Sequence, residues 1–222
     1  MICIPITAKN TEEALQRIAR ANALADMLEI RLDLMESFDL HEMIQAASKP
    51  ALVTYRSKGE GGKGTADDKT QASYLLTALE EGAEFVDVER RLPEKWRKKI
   101  FHARGKSSIV ASTHVPDSTP PKEALEEIFE ELTATGADII KIVTHAKSMM
   151  DNLRVLDLIP KAQERRIKII AFCMGRFGRI SRIFSHLMGG YLTFASLEGG
   201  EESAAGQIPV EEMKKILDFF KI

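Results

Sequence analysis

Short apolar runs recur along the chain and alternate with stretches of helical spacing. The runs are Ile2–Ile6, Met27–Leu32, Ala51–Tyr55, Phe85–Val88, Ser108–Ala111, Ile139–Val143, Ile167–Phe172 and a weaker Tyr191–Ala195. Runs this short, bounded by turn residues, read as strands buried on both faces. Between them, Asn10 stands at an N-cap with Glu13 three residues on and an apolar stripe at Leu15, Ile18 and Ala19. Leu125, Ile128, Phe129 and Leu132 repeat that spacing after Pro120-Pro121, and Val210, Met213, Leu217 and Phe220 do so behind Pro209. Eight strand–helix units in 222 residues average about 28 residues each, the size of one βα unit.

An internal repeat strengthens this reading. Ala25-Asp-Met-Leu-Glu-Ile-Arg31, Ala83-Glu-Phe-Val-Asp-Val-Glu89 and Ala137-Asp-Ile-Ile-Lys-Ile-Val143 superimpose, at steps of 58 and 54 residues. Two βα units separate each copy from the next, so the copies are strands 2, 4 and 6. A charge inside a buried strand is costly unless it points somewhere useful. In an eight-stranded parallel barrel, alternate strands share an interior layer and the active site lies at the strands' C-terminal ends. The pattern therefore predicts one (β/α)8 TIM barrel over residues 1–222, with Glu29, Asp87 and Lys141 in one layer. A doubly wound open sheet is the alternative, and it accounts less well for charges confined to even strands. No linker or low-complexity segment interrupts the chain.

Composition narrows the function. The chain carries 31 Lys+Arg against 33 Asp+Glu, a formal net charge of -2, which lacks the basic excess of a nucleic-acid binder. No apolar run approaches the roughly 18 residues of a membrane span, and the N-terminus lacks the basic lead-in of a signal peptide. Cys3 and Cys173 lie far apart with no metal-ligand spacing, which points to two reduced, buried thiols in a cytoplasmic protein.

Lys141 lies inside an apolar strand, and an ammonium is almost never buried without a partner. One reading is structural, an ion pair to Glu29 or Asp87. The other is a nucleophile that attacks a carbonyl to form a Schiff base. Only the neutral amine attacks, and an ordinary lysine pKa near 10.4 leaves well under a thousandth neutral at pH 7. Desolvation and nearby arginines such as Arg31, Arg56 and Arg182 would favour the neutral form; carboxylates would oppose it unless arginines occupy them. His114 ends strand 5 before the turn signal Val-Pro-Asp-Ser-Thr-Pro-Pro, which puts it at the mouth beside strand 6. It reads either as a loop cap or as the base that proton abstraction beside a carbonyl requires. His41, His102 and His186 fall in helical stretches, and His145 follows strand 6.

Three loops belong to the same end. Tyr55-Arg-Ser-Lys-Gly-Glu-Gly-Gly-Lys-Gly64 places Arg56 at a strand end and leaves Glu60 able to fold back. Met174-Gly-Arg-Phe-Gly-Arg-Ile-Ser-Arg182 opens a helix where such barrels bind anions, carboxylate or phosphate. Ser196-Leu-Glu-Gly-Gly-Glu-Glu-Ser-Ala-Ala-Gly-Gln207 has the small residues of a mobile lid.

Taken in order, Glu29-x-Arg31, Arg56-x-x-x-Glu60, His114, Lys141, Ser181-Arg182 and Ser203-x-x-x-Gln207 resemble the type I 3-dehydroquinate dehydratase family across essentially the whole chain. The resemblance implies a barrel enzyme of the shikimate pathway, commonly a homodimer, that needs no metal or diffusible cofactor and takes 3-dehydroquinate as its small-molecule substrate. It implies imine formation by Lys141, proton transfer by His114, and orientation of His114 by Glu60. Arg182 would grip the substrate carboxylate. Glu29, Arg31 and Arg56 would meet ring hydroxyls, Ser203 and Gln207 would close from the lid, and Met174 and Phe194 would form apolar walls. The sequence departs from that pattern in Val115-Pro116-Asp117 after His114 and in the lid glutamates Glu198, Glu201 and Glu202. Two other readings stay open on the residues alone: a class I aldolase acting on a phosphorylated sugar, and a silent barrel that binds a small acid.

Overall fold

A computed structural model describes residues 1–200 and 202–220. The chain runs β1 (Ile2–Ile6), α1 (Thr11–Ala21), β2 (Met27–Arg31), α2 (Leu40–Ala46), β3 (Ala51–Thr54), α3 (Asp68–Glu80), β4 (Phe85–Glu89) and α4 (Glu94–Ala103). It continues through β5 (Ser108–Val115), α5 (Lys122–Ala134), β6 (Ile139–His145), α6 (Asp151–Leu156), α7 (Leu158–Glu164), β7 (Lys168–Met174), α8 (Arg179–Leu187), β8 (Thr193–Ser196), β9 (Ile208–Pro209) and α9 (Val210–Phe219). Asn10 caps α1 as its position predicts, its side chain accepting from the Glu13 N–H at 2.9 Å.

The strands form one parallel sheet in the order β7-β6-β5-β4-β3-β2-β1-β8-β9, curled with helices outside, so the barrel expectation holds over the open sheet. Three features differ from that expectation. A ninth strand, β9, pairs with β8, where the lid returns to the sheet. The seam between β7 and β8 has no ladder; the Tyr191 N–H donates to the Ile169 carbonyl at 2.7 Å and bridges it. Strands β5, β6 and β7 also run further toward the mouth than their apolar runs. Their last residues include Ser112, His114, Thr144 and His145, and polar residues do not extend a hydrophobic run.

The repeat has a second structural meaning at the opposite, N-terminal face. Its acidic residue precedes each even strand and accepts a backbone N–H from the strand before. Asp26 takes Ile2 at 2.7 Å, Glu84 takes Ala51 at 3.0 Å and Asp138 takes Ile109 at 2.8 Å. Each satisfies a donor the ladder leaves open at its first rung. Inside the barrel, Cys3, Met27, Leu52, Val110, Ile139, Ile170 and Phe194 pack together, and the charged layer belongs to the same interior. Both cysteines are free and buried, and burial pushes both thiols above their ordinary range. Among the described residues, no helix is long and apolar enough to cross a membrane.

Candidate active site

At the C-terminal mouth, one cavity of about 460 Å³ collects side chains from five strands, from the loops after β3 and β8, and from the start of α8. Its size is ordinary for a small-molecule site. Register explains how the chemistry converges. Ser112 on β5 is level with Lys141 on β6, and His114 is level with Val143, so the imidazole lies one strand over and one inward step above the amine.

Lys141 is 3% exposed. Its Nζ lies 3.2 Å from Asp87 Oδ2, 3.4 Å from Glu29 Oε1 and 4.5 Å from the centre of the Phe194 ring. The three charges of the repeat therefore do share one layer. Arg56 organises the next ring of contacts. Its Nη1 donates to Glu60 Oε2 at 2.9 Å, Glu89 Oε1 at 3.0 Å and Ser112 Oγ at 3.0 Å, and its Nη2 lies 2.8 Å from Asp87 Oδ2. Burial works against that guanidinium's charge, but Asp87, Glu60 and Glu89 outweigh it and raise its pKa. Burial would raise the Asp87 carboxyl too, and Arg56 and Lys141 together hold it below the usual carboxylate range.

The expectation that arginines occupy both carboxylates beside the lysine holds for Asp87 alone. Glu29 Oε1 accepts instead from the Thr54 hydroxyl at 3.0 Å and from Lys141 itself. Arg31, two residues on, closes a two-pronged pair on Asp33, with Nε and Nη2 each at 2.8 Å. The Asp33 carboxylate fits the planar fork better than a side chain on the same strand can.

His114 and Glu60 form the second unit. Glu60 Oε2 lies 3.2 Å from His114 Nδ1 and also accepts the His114 backbone N–H at 3.1 Å. Gly61 makes the turn behind it with φ of +80°, a left-handed value that favours glycine, and this folds the carboxylate back over the mouth. Burial, then the positive charges of Arg56 and Lys141, push the imidazole well below its ordinary 6.5. Burial, with Glu89 and Asp87 nearby, pushes the Glu60 carboxyl up to about 8 in spite of Arg56. A neutral ring whose Nδ1–H faces Glu60 leaves Nε2 free as an acceptor.

Arg182 is unlike the other cations. It is 1% exposed, its guanidinium lies 4.5 Å from the centre of the Phe172 ring, and Nη2 donates to the Ala205 carbonyl at 3.3 Å. No carboxylate among the described residues pairs with it, and its buried Nε has no hydrogen-bond partner. Burial lowers its pKa to about 10. An uncompensated buried cation of this kind is the mark of an anion receptor. The preceding Ser181 is structural: its Oγ accepts the Cys173 N–H and donates to the Gly178 carbonyl.

The family model for type I 3-dehydroquinase matches residues 2–222. The chain belongs to that family. A 3-dehydroquinate dehydratase from Pyrococcus abyssi is 36% identical over 217 residues, covering 98% of this chain and 97% of that protein. The chloroplastic bifunctional 3-dehydroquinate dehydratase/shikimate dehydrogenase of Arabidopsis thaliana is 35% identical over 228 aligned positions. It is matched along 100% of this chain, which spans only 37% of the plant protein. The crystal structure of 3-dehydroquinate dehydratase from Geobacillus kaustophilus has a TM-score of 0.88 at 28% identity, covering 98% of this chain and 90% of that one.

Every residue to which the family resemblance gave a role lines this one cavity: Lys141, His114, Glu60, Glu29, Arg31, Arg56, Met174, Arg182, Phe194, Ser203 and Gln207. The lid lies over it. Gln207 Nε2 donates to Ser203 Oγ at 3.1 Å, and the Gly175 N–H donates to the Ala205 carbonyl at 2.9 Å. Of the lid glutamates, Glu198 pairs with Arg20 and Glu202 accepts the Gly200 N–H, so neither lines the cavity; Glu201 lies outside the described residues. Sequence reasoning missed Asp33, Ser112 and Phe172. Ser112 had a detectable signal, as a hydroxyl two residues before His114 on the same strand face. Phe172 had none beyond its place in an apolar run. Among the described residues, no group of three or more His, Cys, Asp or Glu side chains is arranged to hold a metal ion.

Proposed function

We propose that this chain dehydrates 3-dehydroquinate to 3-dehydroshikimate in the shikimate pathway, through an imine on Lys141. Family membership supports the substrate, and the pairing of a buried amine with a neutral imidazole supports the chemistry. The amine adds to the C3 ketone and loses water to give an iminium. That positive nitrogen makes the C2 proton far more acidic, because the electrons left behind can flow into it.

His114 Nε2 takes the C2 proton, with the ring held by Glu60 through Nδ1. The resulting enamine pushes its electrons back and expels the C1 hydroxyl, which leaves as water with the proton that His114 returns. Hydrolysis of the new iminium frees Lys141 and the conjugated ketone. The net change is the loss of one water. Arg182 binds the substrate carboxylate, which would supply the anion this cation lacks. Arg31, Arg56 and Glu29 meet the ring hydroxyls, and Ser203 and Gln207 close from above.

The observation that carries this reading is the one-step rise from Lys141 to His114 on adjacent strands, with the carboxyl group of Glu60 behind the ring. On the same reading, residues 1–222 act as one catalytic domain, cytoplasmic and homodimeric. The test is direct assay with 3-dehydroquinate, following the ultraviolet absorbance of the conjugated product. Turnover that disappears in Lys141→Ala supports the reading, and no absorbance change with well-folded protein removes it.

A further inference from the structure

Beside the catalytic cavity, a groove of about 860 Å³ opens to solvent between α4 and α5, lined by Glu60, Arg90, Arg91, Arg97, Thr113, Glu131 and Ala134. Three guanidiniums meet here, and they are not equally engaged. Arg91 is tied down: Nε lies 2.8 Å from Ser57 Oγ and 3.2 Å from Glu89 Oε2, and Nη1 lies 3.2 Å from Asp68 Oδ1. Arg90 pairs with Glu131, whose side chain is 59% exposed and so able to swing into solvent. Arg97 makes no hydrogen bond or close ion pair among the described residues, and its Nε is sealed from solvent without a partner. One arginine therefore has no hydrogen bond and only the more distant charge of Glu94 for company, and a second is held only by a displaceable surface carboxylate.

We propose that this groove is a second anion site, built for a phosphate group, whose occupant acts on the reaction through Glu60. Arginine forks match the oxygen geometry of phosphate, and Arg97 with Arg90 can present two of them to one ligand. An arriving phosphate displaces Glu131 and satisfies Arg97. The groove has room for a phosphate monoester as well as the free ion. Glu60 lines both the groove and the catalytic cavity, so its carboxylate stands between the bound anion and His114. Negative charge on the groove side opposes the negative charge that Glu60 would have to take on as it supports a protonated His114. Glu60 then supports positive charge on the His114 ring less well, and proton transfer slows. This coupling rests on the catalytic role proposed for His114 and Glu60; binding in the groove does not.

The experiment has a binding arm and a kinetic arm. Arg182→Ala removes the one cation of the catalytic cavity that has no carboxylate partner among the described residues, so phosphate that still binds this variant by calorimetry, and is lost with Arg97, binds in the groove. The expected result is saturable binding to Arg182→Ala, lost in Arg182→Ala/Arg97→Ala and weakened in Arg182→Ala/Arg90→Gln. Binding that is absent from Arg182→Ala, or unchanged by both added substitutions, overturns the site. Glycerol 3-phosphate binding more tightly than inorganic phosphate identifies a monoester as the ligand, and equal affinity identifies the free ion. In the kinetic arm, phosphate lowers kcat of the unsubstituted enzyme by about fivefold, within the usual range of coupling between sites. Arg97→Ala keeps the basal kcat and KM and loses that effect. A purely competitive rise in KM, equal in Arg97→Ala, overturns the coupling while leaving the catalytic reading untouched.

Discussion

Two halves of one cavity treat buried charge in opposite ways. On the β2–β6 side, every cation has carboxylate partners: Lys141 with Glu29 and Asp87, Arg56 with Asp87, Glu60 and Glu89, Arg31 with Asp33. On the β7–β8 side, Arg182 faces the Phe172 ring and a backbone carbonyl, with no carboxylate partner among the described residues. The difference teaches how to divide labour within a site. Compensated charges hold a fixed geometry and tune one another, as a reaction centre must. An uncompensated one is destabilising until an anion arrives, which makes it a binding device.

Breaking the compensated half gives the largest effect. Lys141→Ala and Lys141→Arg should both reduce turnover to background, because alanine has no amine and guanidinium stays protonated. Steady-state assays check this, and retained activity in either variant points to another nucleophile. Next, His114→Ala should slow turnover by about 10²–10⁴-fold while imine formation survives. Mass spectrometry should then find the covalent adduct accumulating during turnover, and normal rates with no adduct would contradict the role.

The uncompensated half gives a smaller effect with an unusual signature. Arg182→Met should raise KM about 10–100-fold, as expected for losing a charge-assisted contact of about 1.5–3 kcal/mol. The same change should make the ligand-free protein more stable by about 1–2 kcal/mol, since it removes a buried cation that lacks an anion. Chemical denaturation without ligand measures this. A loss of stability would mean that the aromatic contact outweighs the charge, and the contrast between the halves would fail.

The smallest effect concerns Glu60. Its carboxyl holds a proton up to about pH 8 in the folded state, against an ordinary value of 4.5. A raised folded pKa means stability that is full below pH 4.5 and is lost as pH climbs toward 8. His114 acts oppositely, but its contribution is full above 6.5 and falls only at lower pH. Between pH 6.5 and 8, then, Glu60 should remove about 1.4 kcal/mol of stability per pH unit. Denaturation curves of Glu60→Gln should be flatter than the parent's over that window, and identical slopes would refute the assignment.

Much of this architecture could be read from the residues before the fold was known. Apolar runs located eight strands, and the Ala-Asp/Glu repeat marked the even ones because charges inside buried strands have few places to point. What escaped was whatever depends on partner choice. Arg31 reaches Asp33 rather than Glu29, a matter of fork geometry that spacing cannot express. The end of β6 was cut short because Thr144 and His145 are polar and look like loop. Short β9 carries no pattern at all, being set by where the lid returns to the sheet. Neither the groove beyond Glu60 nor the missing hydrogen bond of Arg97 leaves any trace in periodicity, since both arise from where α4 and α5 lie.

The central claim is that the buried amine of Lys141 captures the substrate ketone. Borohydride added to the enzyme with 3-dehydroquinate, followed by peptide mass analysis, tests it most directly. One reduced adduct is expected, on the peptide containing Lys141 and absent when substrate is withheld. Full turnover with no adduct, or an adduct on a different lysine, would contradict it.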